Sequence, residues 1–286
     1  MHGSVVIGRV MLKFKRIVQS ASHWSQSFLL TFIYSKARIA QGFKTIKMNA
    51  TADIGWLDSP AVLLESVQRL KAVKALGLDV ALDFHGRVHK PMAKQLAKAL
   101  EPYQPLFIEE PLLSEHLEAI KHFSTSCTTP IALGERLYNR WDVKPFLESA
   151  AIDILQPDIS HVGGVSEFRR IAAMAEAYDV GIAPHCPLGP IAFAASVQLA
   201  LAIPNFVIQE MSLGIHYNSM NNSTYDLCNY LKDPDVFNIQ DGYVAALKGP
   251  GLGIEIDEAE VRKVSKDCKA WRCLEFYGPD GSVREW

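Results

Sequence analysis

The sequence predicts a TIM-type β/α barrel, and three observations carry that expectation. From about residue 41, short apolar runs alternate with amphipathic helical stretches. The polar residues that close the runs recur at near-equal intervals: 26 residues from Asp83 to Glu109, 26 to Glu135, 23 to Asp158, 27 to His185 and 25 to Glu210. A strand, a helix and two short loops need about this length. Finally, neither a GxGxxG fingerprint nor a P-loop occurs, which sets aside the doubly wound sheet.

The strand candidates, in order, are Thr45–Lys47, Val80–Asp83, Leu106–Glu109, Ile131–Glu135, Ile152–Gln156, Gly181–Pro184 and Phe206–Glu210. Continuous apolar runs of this kind suit strands buried on both faces. Helices are expected over Pro60–Leu76, with Asp58 or Ser59 near the cap, over Met92–Leu100 and over Glu167–Tyr178. In the last, Ile171, Ala172, Met174 and Ala175 supply one apolar face. The first strand is left open between Val5–Gly8 and Val10–Phe14. After Glu210 the alternation stops. Residues 213–235 read as loop, Gly249–Gly253 and Gly278–Gly281 as turns, and the whole as a C-terminal extension packed on the barrel or on a neighbour.

Composition narrows the function classes. The 286 residues are 49% hydrophobic and carry a net charge of -2. That balance gives a large core and lacks the basic excess of a nucleic-acid binder. Residues 1–50 hold eight Lys or Arg and no acid, so the remainder carries 21 basic and 31 acidic residues. We therefore treat 1–36 as an atypical N-terminal segment and 37–286 as the barrel domain. The acid-free start has the composition of a transit peptide but no clear amphipathic period. A truncated start explains it equally well. The expected location is cytoplasmic, with mitochondrial targeting as the alternative. No apolar run is long enough to span a bilayer. The five cysteines form no CxxC pair, which fits a reducing compartment.

Asp83, Glu109 and Glu135 close three consecutive strand candidates. In a barrel all such ends meet on one face, where active sites lie. Converging carboxylates repel one another and persist where a divalent cation sits among them; all-oxygen donors favour Mg2+ or Mn2+. Any one of them alone would read as a solvated strand end. Asp158 and His185 close the next two units. A carboxylate bonded to one ring nitrogen fixes the tautomer and raises the basicity of the other, which makes a general base. Separately they would read as a helix cap and a core histidine. His85, two residues after Asp83 on an extended segment, faces the same way as Asp83. It reads as a general acid, a further metal ligand or a loop histidine. Cys186 reads as a small buried filler.

Taken together, Ile108-Glu109-Glu110-Pro111, Gly134-Glu135-Arg136 and the Asp158/His185 pair resemble the mandelate-racemase branch of the enolase superfamily. The segments Asp83–Pro91 (DFHGRVHKP) and Ala183–Pro190 (APHCPLGP) resemble the D-galactonate dehydratases within it. The likeness runs from about Ala37 onward. It implies Mg2+ held by Asp83, Glu109 and Glu135, with His185 oriented by Asp158 to take a proton from C2 of a sugar acid. It implies His85 as the acid for the departing C3 hydroxyl, Glu210 as a partner of the substrate carboxylate, and a 2-keto-3-deoxy acid as product. It also implies a homo-oligomer. Racemases of the branch carry Lys-x-Lys at the second strand; here the segment is Lys47-Met48-Asn49, which favours one-base elimination.

The family also carries an N-terminal capping domain of about a hundred residues. The sequence shows no counterpart, so metal binding is expected to survive and turnover to be low unless another chain covers the site. The competing expectations are a non-catalytic remnant or binding subunit, and a related acid-sugar epimerase or dehydratase of other specificity.

Overall fold

The computed structural model describes residues 10–14, 24–51, 54–213, 226–266, 276–277 and 281–284. Val5–Gly8 lies outside them, as do parts of the 213–235 loop and of the Gly278–Gly281 turn. Eight strands form one parallel sheet: β1 (Val10–Phe14), β2 (Thr45–Asn49), β3 (Asp79–Asp83), β4 (Ile108–Glu109), β5 (Ile131–Leu133), β6 (Ile154–Leu155), β7 (Gly181–Ile182) and β8 (Gln209–Met211). Their order is β7-β6-β5-β4-β3-β2-β1-β8. The two ends of that order meet through a parallel bridge between Ile182 and Phe206 and a 2.8 Å bond from the Val207 N–H to the Ile182 carbonyl. Of the two candidates for the first strand, Val10–Phe14 takes the place, pairing with β2 and β8.

A helix follows each of the first seven strands: α1 (Trp24–Ala40), α2 (Leu64–Lys74), α3 (Lys90–Leu100), α4 (Leu117–Ser124), α5 (Arg140–Glu148), α6 (Val165–Glu176) and α7 (Pro190–Ala200). The expected helix over 60–76 begins as a 3-10 turn, Pro60–Leu63, before α2. Its cap is Ser59, whose hydroxyl accepts from the Ala61 N–H; Asp58 instead accepts from the Gly55 N–H. In α3, Pro91 fills the first turn, where its missing N–H costs nothing, and Met92, Ala93, Leu96, Ala97 and Leu100 form the buried face.

Strand alternation divides the core into two layers. Val80 and Leu82 join the large cluster between sheet and helices. The intervening Ala81 joins Phe107, Ala132, Ile154, Ala183 and Ile208, one from each of six neighbouring runs, in a second cluster on the other face of the sheet. Small residues opposite Phe107 let one aromatic ring fill the inner layer.

The extension packs back on the barrel. It contains the hairpin β9 (Ile239–Gln240) and β10 (Tyr243–Val244) and the helix α8 (Glu258–Ser265). Phe237 meets Phe193 of α7 edge to face at 4.9 Å, and Leu231, Val244 and Leu247 complete that cluster. This cover lets α7 do without charged residues, since most of its side chains are buried and Ile191, near its start, is the exposed large one.

Candidate active site

The C-terminal ends of β2 to β8 deliver the polar residues. Asp83 ends β3 and pairs in register with Glu109, which ends β4. Glu135 lies two residues beyond β5, Asp158 and His185 three beyond β6 and β7, and Glu210 within β8. Asp83, Glu109, Asp158, His185 and Glu210 are all buried.

Two linked clusters result. In the first, Lys47 of β2, fully buried, ion-pairs with Glu109 and, at 3.2 Å, with Glu210. The Gln156 amide donates to Glu109 at 2.8 Å. The Cys186 N–H donates to Glu210 at 2.9 Å. In the second, His185 places Nδ1 2.9 Å from Asp158 and Nε2 3.1 Å from Glu135. His85 Nδ1 lies 3.2 Å from Asp83 and 3.7 Å from Glu135. His185 joins the two clusters, its Nε2 being 4.0 Å from Glu210.

The route by which His85 reaches Asp83 differs from the expected one. His85 has φ +58, in the left-handed region, and so is not on an extended segment. The turn itself carries the imidazole to both carboxylates. Arg136 braces this turn, donating to the His85 carbonyl at 3.3 Å.

The charge balance shifts the pKa values of the buried groups. Burial works to lower the pKa of His185, but the charge of Glu210 and the bonds to Asp158 and Glu135 outweigh it and raise the pKa to about 9. Burial, with the charge of Glu135, raises the carboxyl of Glu110 to about 8, against hydrogen bonds from the Gly134 N–H and the Ser114 hydroxyl. Burial raises the Cys186 thiol well above its ordinary value, which fits a filler and not a nucleophile.

The donor chemistry fits a hard divalent ion: Asp83, Glu109 and Glu135 offer only oxygen from adjacent strand ends on one rim. Among the described residues, however, the set of three ligand-type side chains with atoms mutually within 4.8 Å is Asp158, His161 and His185. The three acids instead meet Lys47, His85 and His185.

Sequence reasoning missed four participants. Lys47, between Ile46 and Met48 in β2, and Gln156, just past β6, gave a usable signal as polar residues beside buried apolar ones. Glu110 and Arg136 stood inside quoted motifs without a role of their own.

A barrel with its acids on the strand ends and a carboxylate–histidine pair opposite defines a class. The chain belongs to the enolase C-terminal domain-like family, whose model matches residues 34–260. It is similar to the D-galactonate dehydratase of Variovorax paradoxus, at 46% identity over 248 residues, 86% of this chain and 64% of that protein. The D-galactonate dehydratase of Cronobacter sakazakii is 47% identical over 248 residues, with the same shares. The chain thus spans just under two thirds of the length of these relatives. Among solved structures it resembles an enolase from Agrobacterium radiobacter with Na and L-malate bound (TM-score 0.80, 30% identity, 98% of this chain and 71% of that one). A mandelate racemase/muconate lactonizing enzyme-like protein from Rubrobacter xylanophilus gives a TM-score of 0.78 at 27% identity, covering 91% of this chain and 69% of that one. Among the described residues, no helix is long and apolar enough to cross a membrane.

Proposed function

We propose that this chain carries out Mg2+-dependent dehydration of a galactonate-like sugar acid to a 2-keto-3-deoxy acid. The observation that carries the reading is the His185–Asp158 pair, 2.9 Å apart and facing the acids of the neighbouring strands. Asp83, Glu109 and Glu135 would hold the metal. When bound, Mg2+ would take the substrate carboxylate and offset the negative charge that builds as the C2 proton leaves.

The remaining work falls to side chains. Asp158 accepts from Nδ1 of His185, which leaves Nε2 as the atom that takes the C2 proton. The carboxylates around His185 favour its protonated form; Glu135 engaged by the ion would hold the ring less strongly, so that Nε2 is neutral and able to accept the C2 proton. His85 gives a proton to the C3 oxygen as that bond breaks, so that water departs. Lys47 holds Glu109 and Glu210 in place. Glu210, 4.0 Å from Nε2 of His185, would contact the substrate carboxylate. With lysine at position 47 and asparagine at 49, the second strand supplies no second lysine base, in line with elimination from one face. The similarity to proteins named D-galactonate dehydratase supports the substrate class.

The test is to incubate the full chain with D-galactonate and follow the 2-keto product by semicarbazone absorbance. Product forms with Mg2+, stops with EDTA, and is lost in His185→Asn. Product of equal yield from His185→Asn would overturn the assignment of the base.

A further inference from the structure

The turn after β6 brings a third histidine, His161, to the site. The His161 N–H donates to the Asp158 carbonyl at 3.0 Å, and the turn closes with Gly163 and Gly164 at φ +90 and +84. The His161 ring is exposed, and its centroid lies 6.3 Å from that of His185. One ligand atom each from Asp158, His161 and His185 falls within 4.8 Å of the other two. His161 and His185 also line an open cavity of about 510 Å³ together with Glu135, Arg136 and Tyr138. Solvent ions therefore have an entry path.

We propose that Asp158, His161 and His185 form a second metal site, suited to a borderline ion such as Zn2+ or Co2+, whose occupation withdraws His185 from the reaction. Two imidazoles and one carboxylate, with a fourth position left for water, make the donor set of open zinc sites, and nitrogen donors select these ions over Mg2+. Asp158 Oδ2 and His185 Nδ1 stand 2.9 Å apart. Ligands bound at about 2.0–2.1 Å in a tetrahedron are separated by roughly 3.3 Å, so these two move little. His161 closes the remaining distance by rotation, which its exposure permits. Arg136, which also lines the cavity, is engaged with the His85 carbonyl. The site stands on these three residues; only its inhibitory effect rests on the role proposed for His185.

Co2+ is the probe, because ligation by nitrogen in a tetrahedral site gives a strong visible absorption. It is titrated into the full chain under excess Mg2+, which keeps the acidic cluster occupied. One equivalent of Co2+ develops the band, and one equivalent of Zn2+ removes it. His161→Gln binds at least about tenfold more weakly and loses the band, while Asp83→Asn keeps it. Lack of uptake under excess Mg2+, or His161→Gln binding as tightly as the unsubstituted chain, would overturn the proposal. These readings hold whether or not the chain dehydrates galactonate, so failure of the two proposals is separable.

Discussion

Replacing Lys47 by methionine tests whether the buried cation organises the acid cluster. Lys47 is 0% exposed, and its partners Glu109 and Glu210 are 1% and 0% exposed. Methionine fills a similar volume but leaves two carboxylates without their shared counter-charge. Breaking a buried pair from one side costs about 3–5 kcal/mol. Domains of this kind hold about 5–15 kcal/mol in all, so about a fifth or more of the stability is at stake. Urea unfolding in EDTA reads the effect as a fall in midpoint of about 1 M or more at unchanged slope, for slopes of about 1–3 kcal/mol/M. Adding Glu109→Gln to Lys47→Met recovers part of the loss, because one orphaned charge is then removed. Mg2+ at about 100 times its dissociation constant returns about 2.7 kcal/mol to any form that still binds it. A loss below about 1 kcal/mol, the worth of an exposed pair, would refute the reasoning.

Three further outcomes follow from the same geometry. Glu110 has a folded pKa near 8 against an ordinary 4.5. Its contribution to stability is therefore complete below about 4.5 and declines as pH rises through 8. In EDTA, Glu110→Gln should show a smaller fall in urea midpoint between pH 5 and pH 8 than the unsubstituted chain. Gly134 has φ +146, and a Cβ there would stand 2.7 Å from the Gln156 nitrogen. Gly134→Ala should cost about 2–4 kcal/mol by pushing β5 from β6, read as a lower melting temperature. Asp158→Asn, which leaves His185 without its orienting charge, should cut product formation by about 10²–10⁴-fold with an unchanged circular dichroism spectrum.

Much of the frame was legible because barrel physics writes itself along the chain. The near-equal intervals between strand-end acids predicted parallel β/α units, and the Asp158–His185 contact followed from adjacent units. Helix starts were harder: Ser59, not Asp58, caps the 3-10 turn, and only the local hydrogen bonds decide between such neighbours. The reach of His85 depends on a left-handed turn that no periodicity reveals. Lys47 was read as half of an incomplete lysine pair; that it neutralises acids of two other strands is a tertiary fact. His161 escaped notice because it belongs to a turn and to no strand end.

The central claim is that Asp83, Glu109 and Glu135 share one divalent ion facing His185. Crystals soaked in Mn2+ and measured at the manganese absorption edge test it most directly. The account predicts one strong anomalous peak per chain, bonded to oxygen from all three carboxylates, and its loss in Asp83→Asn. A Mn2+ peak away from these three side chains, or one that survives Asp83→Asn in place, would contradict it.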